Sequence, residues 1–234
     1  VSIPALIVPI LTQPELLDRM LRSIDHPIDT IVVIDNGDVT VDWDMGHDMV
    51  LDRVIRPGHN LGVAASWNLG IKVTPQAPWW LIVNHDIEFG PGDLGRLEEA
   101  VDPRAGAVYF MFGMASFAIT RPTLQAAGWA DENIHPAYDE DLDWHRRMQL
   151  AGVVTVETGF TGKHVGSATI MSDPVLRAAN GATHGANDAY YAQKWGGPKA
   201  GGETFQTPFD KGGHQGDWRL DIERLRNQAW PRRG

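Results

Sequence analysis

The sequence predicts an α/β fold in which a mostly parallel sheet is covered by helices on both faces. Two observations carry this. Short apolar runs rich in β-branched residues recur through the first half of the chain, and the segments between them space their apolar residues as helices do. A third observation concerns ligands. Polar residues fall just beyond the apolar runs, at the carboxyl ends of the expected strands, where open sheets of this kind bind their ligands.

The elements follow in order. "ALIVPIL" reads as a buried strand. Thr12 with Glu15 three residues on has the pattern of a capping box, and Leu16, Leu17, Met20, Leu21 and Ile24 follow at helical spacing. "TIVVIDNG" is a second strand closed by a turn, and "DRVIRPGHN" offers a short third. "GVAASWNLGI" is a small Ala-rich helix, "WWLIVNHD" a fourth strand, and "DLGRLEEAV" a helix with Leu94, Leu97 and Val101 on one face. The uncharged stretch from Ala105 reads as two paired strands near 107–119. "PTLQAAG" is a short helix ending at Gly128, and "GVVTVE" and "GKHVG" are late strands. Beyond Met171 the sequence is loop-like and Gly-rich, with a short helix expected at 188–195. "DWRLDIERLRNQAW" is amphipathic and reads as a helix docked on its own domain or on a second copy of the chain.

The 234 residues can bury about 70% of the chain's surface on folding. A net charge of −10 argues against a protein built to grip nucleic-acid backbones, which needs a basic footprint. Small phosphorylated ligands remain compatible, since they need only local cations or a metal. The chain has no cysteine, hence no disulfide and no thiolate metal site. No segment reads as a signal peptide or a membrane span. The expectation is a cytoplasmic protein, with a membrane-peripheral position as the alternative that the last amphipathic segment offers.

One stretch, "AYDEDLDWHRRMQLAG", crowds Asp139, Glu140, Asp141 and Asp143 at the start of a helix expected from Glu140 to Ala151. Gly152 suits its C′ position and Asp139 its N-cap. The helix dipole favours acids in a first turn by about 0.3–1 kcal/mol each. That covers Asp139, Glu140 and Asp143. Asp141 lies three residues before Trp144, on the apolar stripe with Met148 and Ala151, so it is expected to point inward. An inward carboxylate there can pair with a cation such as His145, bind a metal or act as a general base. His164 ends a late strand. With Asp86 across the same sheet edge, it could complete a site for a hard divalent cation, since Mn²⁺ accepts both carboxylate and imidazole.

These segments, in this order, resemble the family 2 inverting glycosyltransferases of the GT-A fold over residues 1 to about 170. The similarity lies in "VSIPALIVPILTQPELLDRMLRSI", "IVVIDNGD", "RPGHNLGVAASWNLGI", "WWLIVNHDIEF", "AGWADENIHPAYDEDLDWHRRMQLAG" and "HVGS". "YYAQKWGG" is similar to a tail seen in some members. The resemblance implies a GT-A, Rossmann-like domain over residues 1–170, with its nucleotide-binding part at about 1–90 and its acceptor and catalytic part at about 91–170. Residues 171–234 would be a C-terminal extension packed on the same domain.

By that resemblance Asp35 contacts the base of a donor nucleotide, with Asn36, Asn60 and the strand-end residues Pro9 and Leu11 beside it. Asn84 and His85 face the ribose or phosphates. Asp86 binds Mn²⁺ or Mg²⁺, and His164 is a second ligand. Asp141 is the base and Glu140 helps hold the acceptor. From the residue types themselves, Trp67, Trp129 and Trp144 could stack on a sugar or base of the acceptor, although core packing is the commoner fate of such residues. The implied donor is a UDP- or dTDP-sugar, and the acceptor a glycan, a lipid-linked sugar, a protein or a modified base. Asn84 stands where the family's Asp-x-Asp motif has its first acid, which removes one anionic contact. A non-catalytic sugar-nucleotide or glycan-binding relative, and a metal-dependent nucleotidyltransferase or hydrolase, use the same residue types. The His-Glu-x-x-His and P-loop patterns are missing.

Overall fold

Strand β1 (Leu6–Ile10) sends alternate side chains to two buried faces, and the layers of the fold follow from that alternation. The computed structural model describes residues 2–37, 39, 53–166 and 174–210. Leu6, Val8 and Ile10 face helices α1 (Pro14–Arg22) and α3 (Asp93–Ala100), where they meet Leu17, Met20, Leu94 and Leu97. Ile7 faces the other way, onto α2 (Val63–Val73), α4 (Arg121–Ala127) and α5 (Glu140–Leu150). Near-continuous apolar strands are what a sheet covered on both sides requires.

β1 pairs in parallel with β2 (Ile31–Asp35) and with β4 (Trp79–Val83), and β2 pairs in parallel with β3 (Arg53–Ile55). Beyond β4 the paired strands expected near 107–119 are β6 (Ala107–Phe112) and β7 (Ser116–Thr120). The sheet order is β3-β2-β1-β4-β7-β6-β8, where β8 is Val154–Glu157 and only β7 runs against the rest. The chain moves outward from β1 to β3 and then returns to β4 on the other side of β1. That reversal opens a crevice between the carboxyl ends of β1 and β4.

A separate two-stranded ribbon pairs β5 (Ile87–Glu88) with β9 (Lys163–His164). Its register sets Ile87 opposite His164, which brings His164 beside Asp86. The loop into β9 is held by the buried carboxylate of Asp93. That group accepts from Gly90 N at 2.7 Å, Thr161 Oγ1 at 2.8 Å and Gly162 N at 3.1 Å, and it pairs with Arg96.

Two sequence expectations need correction here. Thr12 does not cap α1. Pro14 occupies the first turn, Gln13 takes the N-cap position in the left-handed region at φ 58°, and no side chain caps the helix. The segment read as loop with a helix at 188–195 is instead a helix of 22 residues, α6 (Pro174–Trp195). The amphipathic segment expected near 217–230, with the oligomer and membrane roles attached to it, lies outside the described residues. Among the described residues no helix is long and apolar enough to cross a membrane.

α6 docks through buried charge. Lys194 Nζ lies 2.6 Å from Asp131 Oδ2 and 2.7 Å from Asp143 Oδ1. Tyr190 donates to Asp131 at 2.8 Å, the Trp195 indole donates to Asp143 at 2.9 Å, and Arg147 Nε reaches the other Asp143 oxygen at 2.9 Å. Burial opposes ionisation of Asp131, but the Lys194 ammonium and these donors hold its carboxyl well below the usual range. Lys194→Met leaves both carboxylates without their ammonium. The expected loss is about 3–5 kcal/mol of stability, read by denaturant titration, and a loss under about 1 kcal/mol would contradict this account.

Candidate active site

The crevice between β1 and β4 widens into a cavity of about 510 Å³. Pro9 and Leu11 line it from the end of β1, and Asn84, His85 and Asp86 from the end of β4. Asn36 and Asn60 come from the loops beyond β2 and β3, Glu140 and Asp141 from the start of α5, and His164 from β9. Most residues singled out in the sequence therefore meet in one place.

The asparagines earn their positions by shaping backbone. Asn36 is buried; its Oδ1 accepts from Leu61 N at 3.0 Å and its Nδ2 donates to Ser66 Oγ at 2.9 Å. Asn60 Oδ1 accepts from Gly62 N at 2.9 Å. Gly62 adopts φ 78°, and a Cβ there would lie 2.8 Å from Pro136 O, so only glycine lets the 135–136 loop close onto α2. Asn68 fastens the next loop through Ala130 N and O. Asp35 is buried just outside the cavity lining. Its Oδ1 accepts from Gly37 N and Val39 N and its Oδ2 pairs with Arg56 at 3.2 Å, so in this structure it closes the turn after β2.

Asp86 is buried, and Gly166 N donates to its Oδ2 at 3.0 Å. Its Oδ1 lies 3.3 Å from His164 Nε2, outside hydrogen-bonding geometry. Among the described residues, His164 Nε2 and His85 Nε2 are buried without a hydrogen-bond partner. Burial holds the His85 imidazole below its ordinary pKa, against the pull of Asp86 and Glu15, which favours the neutral ring. Two ligand atoms at right angles, each about 2.1 Å from an ion, lie about 3 Å apart. The Asp86 and His164 atoms meet that spacing, and a carboxylate with an imidazole suits Mn²⁺.

Asp139 stands at the N-cap position of α5, as expected, but its side chain does not cap the helix. Its Oδ1 instead takes the Lys199 ammonium at 2.6 Å. Glu140 is buried, with Oε2 unpartnered among the described residues, and burial together with neighbouring Asp141 pushes its carboxyl up to about 8. Asp141 is also raised, first by burial and then by Asp139, while Leu142 N donates to its Oδ1 at 2.8 Å. The pairing of His145 with Asp141 does not form. The His145 ring packs edge-on against Phe110, and its Nε2 has no partner among the described residues.

Asp139, His184 and Asp188 also offer ligand atoms within 4.8 Å of one another. Lys199 Nζ already sits among them, 2.7 Å from Asp188 Oδ1 and 3.4 Å from His184 Nε2. This cluster holds an ammonium.

The acceptor contact expected of Trp144 is corrected. Trp144 is 0% exposed, stacked on Trp67 at 5.7 Å, with its indole donating to Gly128 O at 2.9 Å. It has no face left for a ligand. Trp129 is partly exposed beneath Lys72, 5.0 Å from its ring centre, and does not line the cavity. The cavity is instead closed by Phe112 and Met114 from the β6–β7 turn and by Leu176, Ala179 and Asn180 from α6. A signal for α6 was present: Leu176, Asn180, Thr183, Asn187 and Tyr191 repeat at helical spacing, but on a face too polar to read as a core stripe.

No protein-family model matches the sequence, and no curated protein does. Solved structures do resemble the fold. A mannosyltransferase from Pyrobaculum calidifontis, in complex with GDP-Man and Mn²⁺, aligns at a TM-score of 0.56 and 15% identity over 79% of this chain. The chain spans 63% of that protein's length. Glucosyl-3-phosphoglycerate synthase from Mycobacterium tuberculosis, in complex with Mn²⁺, UDP and glucosyl-3-phosphoglycerate, aligns at 0.52 and 15% identity over 80% of both chains. The catalytic domain of Drosophila β1,4-galactosyltransferase 7 aligns at 0.51 and 15% identity, over 72% of this chain and 73% of that one. The fold is that of the GT-A glycosyltransferases.

Glu140 links the site to stability. Its carboxyl is raised from an ordinary 4.5 to about 8, so the folded state holds a proton that the unfolded chain releases between those values. Stability is therefore full below pH 4.5 and is lost as pH rises towards 8, by up to about 1.4 kcal/mol per pH unit. Glu140→Gln is expected to raise the Tm at pH 8 and to leave it nearly unchanged at pH 4. An equal effect at both values would contradict the assignment.

Proposed function

We propose that the protein is a metal-dependent glycosyltransferase that moves a sugar from a nucleoside diphosphate to an acceptor hydroxyl by a single, inverting displacement. The observation that carries this reading is one cavity, at the carboxyl edge of a GT-A sheet, lined both by the Asp86 and His164 pair and by the Glu140 and Asp141 carboxyls. The GDP-Man and UDP bound by two of the solved structures named above support a sugar-nucleotide donor in general. UDP- or dTDP-sugars are preferred here, on the sequence resemblance.

In this reading Asn36, Asn60, Pro9 and Leu11 form the wall against which the base and ribose rest. Asn84 offers its amide to the ribose or the diphosphate. Asp35 contributes by fixing the turn after β2. Asp86 and His164 would hold Mn²⁺ or Mg²⁺, with His85 as a third neighbour. When bound, that cation supplies positive charge to a leaving diphosphate.

The reaction forms a bond from the acceptor oxygen to the anomeric carbon as the bond from that carbon to the phosphate oxygen breaks. The electron pair leaves with the nucleoside diphosphate, and the acceptor proton passes to the Asp141 carboxylate. The raised Asp141 carboxyl is a stronger base than an exposed aspartate, which suits it to this step. Glu140 is protonated at neutral pH and so can donate a hydrogen bond to the acceptor rather than compete for its proton. No covalent sugar–enzyme intermediate is required.

Asp141→Asn is expected to lower transfer by about 10²–10⁴-fold with donor affinity unchanged. Product analysis with a panel of sugar nucleotides checks this, and near-wild-type turnover would remove Asp141 from the mechanism. Asp86→Ala is expected to weaken nucleotide affinity in Mn²⁺ and to leave the weaker affinity in EDTA unchanged. Equal affinity for the variant and the wild type in Mn²⁺ would remove Asp86 from the metal site.

A further inference from the structure

Tyr138 and Asp139 both adopt the left-handed conformation, at φ 74° and 76°, immediately before Glu140 and Asp141. Neither is glycine, and such residues persist only where the surrounding structure over-determines them. Their own helix holds only the Asp139 carbonyl, which accepts from Asp143 N at 2.9 Å; the Asp139 side chain makes no cap and its Oδ2 has no partner among the described residues. The side-chain hold comes from α6 and the loop that follows it. Buried Asn187 donates to Ala137 O at 3.0 Å and to Tyr138 O at 3.3 Å, and accepts from His135 N at 3.3 Å. Lys199 Nζ bridges Asp139 Oδ1 at 2.6 Å and Asp188 Oδ1 at 2.7 Å. The His184 ring lies 5.4 Å from that of Tyr138.

We propose that Lys199 and Asn187 are positioning residues for Asp141: they hold the Tyr138–Asp139 turn and so fix where α5 begins and where its first carboxylates face. The link to catalysis rests on Asp141 being the base; the hold on the turn does not. Lys199 also acts through charge. The groups around Asp141 are Asp139 and Glu140 on its own segment, His145 one turn on, and Lys199, with His184 and Asp188 behind that ammonium. His85, Asp86 and His164 line the same cavity. Burial and Asp139 raise the Asp141 carboxyl while Lys199 lowers it. Removing the ammonium therefore makes Asp141 harder to ionise, and the acid limb of the rate profile moves to higher pH.

The test uses the full chain as wild type, Lys199→Met, Lys199→Arg and Asn187→Ala. The Lys199 side chain is 33% exposed, so its replacement does not open the core. Hydrogen–deuterium exchange over 135–143 is expected to speed up by about tenfold in Lys199→Met and Asn187→Ala, with β1 and β4 unchanged. In Lys199→Met the kcat is expected to fall by about ten- to a hundredfold with the donor KM unchanged. Its acid limb shifts upward, and Lys199→Arg restores both. Unchanged exchange over 135–143 in both variants, or an unmoved acid limb in Lys199→Met, would overturn the proposal. If Asn187→Ala speeds exchange everywhere, Lys199→Met decides alone. If the wild type transfers no sugar, the reading of Asp141 as a base falls, and the exchange measurement still decides whether the turn is held from α6.

Discussion

A buried ammonium between two buried carboxylates organises the half of this molecule that carries the acidic helix. Lys194 joins Asp131, in the loop before the acidic helix, to Asp143, in that helix's first turn. Unpaired, any one of these charges would be strongly unfavourable in the interior, so the three groups specify each other's positions. α6 must therefore lie where it does. Its outer turns then reach the cavity through Leu176, Ala179 and Asn180, and its inner face meets the loop that precedes Glu140 and Asp141.

The other half of the site depends on sheet topology. The strand order reverses beside β1, so the ends of β1 and β4 cannot be covered by their own connections. Buried asparagines do the shaping there, because an amide both donates and accepts and can satisfy loop backbone from inside. Asn36 and Asn68 each serve a segment more than twenty residues away in sequence. The β5–β9 ribbon adds His164 to the same edge, fastened from behind by Asp93. A cavity results whose lining residues are fastened by hydrogen bonds within the protein itself.

Much of this was legible in the sequence, and the misses have physical causes. β1, β2 and β4 announce themselves because a strand buried on both faces must be apolar throughout. The α5 boundaries were readable from Asp139 and Gly152. α6 was not, because its buried face is built from Asn187, Lys194 and tyrosines, and because Asn180-Gly181 and Gly185 look like breakers. Thr12 and Glu15 match a capping box in spelling, yet Pro14 and the left-handed Gln13 start α1 differently. Trp144 shared a stripe with Asp141, as expected, but the stripe turns fully inward one turn later, onto Trp67 and Phe117. Asp35 shows what motif reading leaves out: its carboxylate also accepts from Gly37 and Val39 and pairs with Arg56, contacts that only the fold reveals.

The central claim is that this cavity takes a nucleoside diphosphate through a divalent cation. Calorimetric titration of the protein with UDP, dTDP and GDP, each in Mn²⁺ and again in EDTA, tests it most directly. The account predicts saturable binding of at least one of the three in Mn²⁺, strongest for UDP or dTDP, that fades in EDTA. Absence of binding by all three in Mn²⁺, or binding indifferent to EDTA, would contradict it.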